Sequence, residues 1–112
     1  MNGLVSCVVP SFNRAHLLKE AIESILCQTY PHWELIIVDD CSTDNTTTIA
    51  NKFAEYDPRI KLYQNEKNIG DYSNRNKAAS FAVGKYLKYV DSDDIIFPWG
   101  IETMITCMEM YP

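Results

Sequence analysis

The run Glu34-Leu35-Ile36-Ile37-Val38, closed at once by Asp39-Asp40, decides how the rest of the chain is read. Its four consecutive apolar residues, three of them β-branched, are too few for a helix and show no alternation. That is the pattern of a strand covered on both faces, which belongs to a parallel sheet with helices packed on it. Upstream, Leu4 to Val9 repeats the pattern and stops at Pro10. Between the two runs, Leu17, Leu18, Ala21, Ile22, Ile25 and Leu26 recur at helical spacing. Arg14 to about Gln28 is therefore predicted to be a helix with one apolar face, capped by Asn13 and ended by Tyr30-Pro31.

The same alternation continues downstream. Cys41 to Asn45 reads as a loop, and Asp44 as the cap of a helix to about Tyr56 with Ile49, Ala50 and Phe53 inward. After the Asp57-Pro58 turn, Ile60 to Gln64 alternates as a third strand, with Ile60, Leu62 and Gln64 on one side. Asn65 to Asp71 has loop chemistry, with Gly70 free to take positive φ. Ser73 is placed to cap a third helix to about Val83, with Gly84 at its end. Lys85 to Val90 is the fourth strand, followed directly by Asp91-Ser92-Asp93-Asp94. Pro98 suits the first turn of a last helix with Ile101, Met104, Ile105 and Met108 at helical spacing. Strands alternating with helices imply an α/β domain: a mostly parallel sheet of about four strands with right-handed crossovers.

The composition agrees. The chain has 112 residues, 46% hydrophobic and 22% charged, which suits a single globular domain spanning 1–112. Its 15 acidic and 10 basic residues give a net charge of -5. That argues against nucleic acid as a partner, because a phosphate backbone needs a basic footprint. A nucleotide is not excluded, since a metal ion can bring it to an acidic site. No apolar run approaches the roughly 20 residues of a membrane span, and Met1 to Pro10 lacks the features of a secretory leader. Cys7, Cys27, Cys41 and Cys107 lack metal-site spacing and read as reduced, mostly buried thiols of a cytoplasmic protein. His16 and His32 have no partner at metal spacing either.

In an open parallel sheet, ligands bind beyond the carboxyl ends of the strands. Here those ends are Pro10-Ser11-Phe12-Asn13, Asp39-Asp40, Asn65-Glu66 and Asp91-Ser92-Asp93-Asp94. Asp91 and Asp93 are two apart, so an extended chain directs both carboxylates to one side, where they can hold a hard divalent cation. Taken alone, the segment equally suits a helix-start loop with Asp94 as cap. Asp39-Asp40 can accept hydrogen bonds from a base or ribose, or simply form a strand-to-loop turn. Arg75 can pair with a phosphate or with one of these aspartates, or stand exposed on its helix. Tyr56, Tyr63, Tyr72, Tyr86 and Tyr89 read as core or rim packing, and Lys85 and Lys88 as solvated.

The ordered set of these segments closely resembles the family 2 glycosyltransferases. The resemblance rests on Val8-Val9-Pro10-Ser11-Phe12-Asn13-Arg14, on Leu17 to Gln28-Thr29-Tyr30, and on Trp33 through Asp39-Asp40-Cys41-Ser42-Thr43-Asp44. It continues in Asn68-Ile69-Gly70, Arg75-Asn76 and Gly84 through Asp94. It implies the Rossmann-like nucleotide-binding half of the GT-A fold, a nucleotide-sugar donor (most commonly a UDP-sugar), and a divalent metal (Mn2+ or Mg2+). It also implies roles. Pro10 and Ser11 would wall the base and ribose, Asp40 would hold the base with Asp39 beside it, and Arg75 would sit near the base and the acidic pair. Asp91-Ser92-Asp93 matches the DXD signature, with Asp91 at the ribose or metal and Asp93 as direct metal ligand. The acceptor-binding half, which carries the catalytic base in inverting members, has no counterpart in these residues, so no base is named. Surface that such a half would cover is expected to favour a homo-oligomer. The alternatives are a nucleotide- and metal-binding fragment without transfer activity and a receiver-like signalling domain. The receiver-like reading wants its acidic pair after the first strand, where this chain has Pro10-Ser11. A phosphate-loop nucleotidase lacks its glycine-rich motif here.

Overall fold

The computed structural model describes residues 3–92 and 94–110. The elements alternate as expected: β1 (Val5–Ser11), α1 (Ala15–Leu26), β2 (Trp33–Asp39), α2 (Thr46–Tyr56), β3 (Ile60–Gln64), α3 (Asp71–Ser80), β4 (Tyr86–Tyr89) and α4 (Gly100–Met110). All strand pairings are parallel, and the sheet order is β3-β2-β1-β4. The chain steps outward from β1 to β2 to β3, then crosses back to lay β4 on the other side of β1.

That reversal puts helices on both faces. Val5, Cys7, Val9, Leu35 and Ile37 form the larger core with Leu18, Ile22 and Ile25 of α1, Ala50 of α2, and Ile101 and Ile105 of α4. The opposite face is smaller, with Val8, Ile36 and Val38 packed on Ala78 of α3. Both central strands are buried along their whole length, which is why their sequences run apolar without alternation. Burial pushes the Cys7 thiol up to about 12, which leaves it inert. The other three cysteines are free and exposed, against the expectation of mostly buried thiols. Tyr56 and Tyr72 are also largely exposed rather than packed. Among the described residues, no helix is long and apolar enough to cross a membrane.

The smaller face holds a buried polar hub at the amino end of the sheet. Glu34 accepts hydrogen bonds from the Ser6 hydroxyl (2.5 Å), the Val83 N–H (2.9 Å) and Lys61 (3.4 Å). Gly84 N–H donates to the same Ser6 hydroxyl at 2.8 Å. Burial alone would raise the Glu34 pKa, but these donors together hold it below the ordinary carboxylate value. Gly84 therefore does not end α3, which stops at Ser80. It is small because the entry to β4 runs against β1: a Cβ here would lie 2.7 Å from the Leu4 carbonyl and 2.9 Å from the Ser6 nitrogen.

Two other local expectations give way to tertiary partners. The N-cap of α3 is Gly70, with φ of 88°, and Ser73 lies inside the helix. Asn13 does not cap α1; its side chain reaches the β2–α2 loop instead. β1 also continues two residues further than expected, through Pro10 to Ser11.

Candidate functional site

The strand order reverses between β1 and β4, so the crevice at their carboxyl ends is where this topology places a ligand. Pro10 helps to open it. The carbonyls of Leu4 and Val8 accept from Tyr86 and Val90 of the β4 segment, so the even-numbered residues of β1 direct their backbone groups toward β4. Pro10 falls in that set, but it has no N–H, and the β1–β4 ladder has already ended at the Val8–Tyr89 pair. Beyond it, Ser11 pairs with Asp39 of β2. The Ser11 hydroxyl is buried, and it is the one buried side-chain polar atom without a hydrogen-bond partner among the described residues. An orphan hydroxyl costs about 1–3 kcal/mol, which makes Ser11 a candidate ligand contact at this edge. Phe12 follows and is 41% exposed.

The two aspartates at the carboxyl end of β2 have different partners. Asp39 is buried and closes the next turn, accepting from the Ser42 N–H (2.8 Å) and hydroxyl (2.5 Å). Asp40, only 3% exposed, reaches across to the β3–α3 loop. One of its oxygens accepts from the Asn65 amide (2.9 Å) and the Ile69 N–H (2.8 Å), the other from the Gly70 N–H (2.9 Å). A carboxylate offers about four acceptor positions, so one remains. The Asn65 amide also donates to Asn74, which in turn donates to the Val38 carbonyl, while Lys77 donates to the Asn65 oxygen. Asn65 and Asn74 thus support Asp40 from behind. Nothing in the sequence separated these two asparagines from ordinary loop and helix residues.

Arg75, on the second turn of α3, donates to Asp91, two residues beyond β4, and to Asp71 at 3.0 Å. These two carboxylates push the guanidinium pKa further up, so it stays charged. Asp91 is half-buried, and Ser92 is buried. Of the sequence-predicted residues, Pro10, Ser11, Asp39, Asp40, Arg75, Asp91 and Ser92 all lie at the carboxyl edge; Asp93 lies outside the described residues. Gln28 anchors the segment that follows. Its amide donates to the Phe97 carbonyl (2.8 Å), and its oxygen accepts the Ile101 N–H (3.0 Å) at the start of α4.

Among the described residues, no group of three His, Cys, Asp or Glu side chains can hold a metal ion. A divalent cation that takes most of its ligands from phosphate and water needs only one or two carboxylates, and Asp91 could be one.

Fold and edge together define the class: a doubly wound parallel α/β domain whose ligand crevice is flanked by carboxylates and one arginine. The profile described as Glycosyl transferase family 2 matches residues 6–112, and the chain belongs to that family. It is 42% identical over 105 residues to the Escherichia coli UDP-Glc:alpha-D-GlcNAc-diphosphoundecaprenol beta-1,3-glucosyltransferase WfgD, covering 94% of this chain and 41% of that protein. It is 42% identical over 104 residues to glycosyltransferase GlyG of Streptococcus pneumoniae, covering 93% and 35%. The chain therefore spans well under half the length of these relatives. Its fold is that of the GT-A glycosyltransferases. S. aureus TarS 1-349 in complex with UDP-GlcNAc superposes with a TM-score of 0.89 at 32% identity, covering 96% of this chain and 31% of that one. The mannosyltransferase PcManGT of Pyrobaculum calidifontis, in complex with GDP-Man and Mn2+, gives 0.79 at 29% identity, covering 86% and 29%.

Proposed function

We propose that residues 1–112 form the donor-binding unit of an inverting glycosyltransferase, and that the crevice takes a nucleoside diphosphate sugar, with UDP as the nucleotide. The observation that carries this reading is the convergence at the β1/β4 switch point. An orphan Ser11 hydroxyl, a buried Asp40 with acceptor capacity to spare and the Arg75–Asp91 pair come from four separate elements or their loops. Each has a task in nucleotide recognition. The exposed Phe12 ring offers a face on which a base stacks. The remaining acceptor position of Asp40 takes a base N–H, and Ser11 meets the ribose. Arg75 holds Asp91 in place and supplies positive charge beside the diphosphate.

Asp91 and Asp93 would hold a divalent cation, Mn2+ or Mg2+, which supplies charge neutralisation for the departing diphosphate. Sugar transfer would then be a direct displacement at the anomeric carbon, with an acceptor and a catalytic base contributed from outside residues 1–112. The test is calorimetric titration of the chain with UDP, with and without Mn2+, beside Asp93→Ala. Binding that needs the metal and is lost in the variant supports the reading. A folded chain that binds no UDP under either condition overturns it.

A further inference from the structure

Of the helices that begin at the carboxyl edge, α1 and α2 are joined through the loops that lead into them. Neither Arg14, before α1, nor Asn45, before α2, makes a side-chain capping bond. Part of the capping is exchanged between the two loops. From the β1–α1 loop, the Asn13 side-chain oxygen accepts the Thr43 N–H (2.8 Å) and the Asp44 N–H (3.4 Å) on the approach to α2. From the β2–α2 loop, Asp44 accepts the Thr46 N–H (3.0 Å) and hydroxyl, and draws on the Ala15 N–H of α1. Two further bonds complete the weave. Asn13 N–H donates to the Ser42 hydroxyl (2.9 Å), and Arg14 N–H donates to the Thr46 hydroxyl (3.1 Å).

Asn13 makes this possible through its backbone. It has φ of 50°, a left-handed conformation that asparagine tolerates better than most side chains. Cys41, on the facing loop, is left-handed as well, with φ of 64°. Both loops thus turn sharply just beyond the strands, and each is hydrogen-bonded to the other. Phe12 lies immediately before Asn13, and Asp40 lies two residues before Ser42. The Ser42 hydroxyl links the two sides, because it accepts from Asn13 and donates to Asp39.

The geometry points to Asn13 as a positioning residue for the nucleotide: by locking the β1–α1 loop to the β2–α2 loop, it fixes the spacing between Phe12 and Asp40. The inference rests on the nucleotide reading above, since Phe12 and Asp40 are there the stacking face and the acceptor for one base. The Asn13 side chain does not itself touch the ligand. It sets the width of the slot, and a slot held by one loop alone loses the rigid support that precise recognition needs.

The test compares UDP affinity, in the presence of Mn2+, for wild type, Asn13→Gly, Asn13→Asp and Ser42→Ala. Glycine accepts φ of 50° without strain, so Asn13→Gly removes only the side-chain acceptor. Its UDP affinity is expected to fall about tenfold, with a far-UV spectrum like that of wild type. Asn13→Asp keeps an oxygen in place and is expected to recover most of that loss, whereas a generic surface change would show no such rescue. Ser42→Ala breaks the bridge from the other side and is expected to weaken UDP in the same direction, which keeps the test decisive if Asn13→Gly folds poorly. Wild-type binding with Asn13→Gly and Ser42→Ala both within twofold would overturn the positioning role and leave the nucleotide reading intact. A folded wild type that binds no UDP would remove both.

Discussion

Replacing Asp40 by alanine should destabilise the whole domain, because its carboxylate also holds the β3–α3 loop. The side chain is buried and takes three donors: the Asn65 amide and the N–H groups of Ile69 and Gly70. Asn65 is itself buried, so in Asp40→Ala its amide hydrogen loses a partner where water cannot replace it, at about 1–3 kcal/mol. Ile69 is half-buried and Gly70 exposed, and the Gly70 N–H keeps a second acceptor in the Asn68 side chain (3.1 Å), so loss of the charged acceptor costs these N–H groups up to about 1 kcal/mol each. The sum is about 3 kcal/mol. At roughly 4 °C per kcal/mol for a domain of this size, Tm should fall by about 12 °C. Asp40→Asn should cost less. Its oxygen can keep the Asn65 and Ile69 bonds, but its amide would face the Gly70 N–H donor to donor. Thermal unfolding followed by circular dichroism, with urea unfolding as a cross-check, measures both. If Asp40→Ala lies within 1 kcal/mol of wild type, these hydrogen bonds do not hold the loop, and the account of how Asp40 is fixed fails.

Two further predictions follow from the hub on the smaller face. The folded-state pKa of Glu34 lies below its ordinary value of 4.5, so the unfolded chain binds more protons in the interval between them. Its contribution is fully present above that ordinary value and is lost as pH falls through the folded value. Asp44 and Asp57 shift in the same direction, so the readout is a difference: between about pH 5 and pH 3, wild type should lose more stability than Glu34→Gln. Equal losses would refute the assignment. Gly84→Ala would place a methyl group 2.6 Å from the Ser6 hydroxyl and under 3 Å from two backbone atoms that cannot swing aside. It should cost about 1–3 kcal/mol, and an unchanged Tm would show that the β4 entry has more room than the structure gives it.

Much of this fold was legible in the sequence, because the decisive signals are local. Short apolar runs without alternation at Leu4 to Val9 and Leu35 to Val38 mean strands covered on both sides. The spacing of Leu18, Ala21, Ile22 and Ile25 means a helix with one buried stripe, and all four are buried. The gathering of Pro10-Ser11, Asp39-Asp40, Asn65 and Asp91 at one edge follows from parallel strands alone, whatever their order. Local capping preferences were less dependable. Asn13 and Ser73 each have the chemistry of a cap, yet Asn13 serves the neighbouring loop and Ser73 lies within its helix. One side-chain hydrogen bond is worth only about 1 kcal/mol, so a better tertiary partner readily displaces the local one.

By itself, then, the chain determined its element types, the parallel class and the acidic edge, because each depends on residues adjacent in sequence or on a fixed helical or strand period. Three things were decided only by packing. The return of β4 beside β1 set the crevice between Ser11 and Asp91, since strand order depends on which helix covers which face. The pairing of Arg75 with Asp91 required α3 to lie on the face opposite α1 and α2. The support of Asp40 by Asn65 and Asn74 required three elements to meet below the surface. No pattern along the chain encodes those meetings, because each joins residues whose separation in sequence carries no periodic signal.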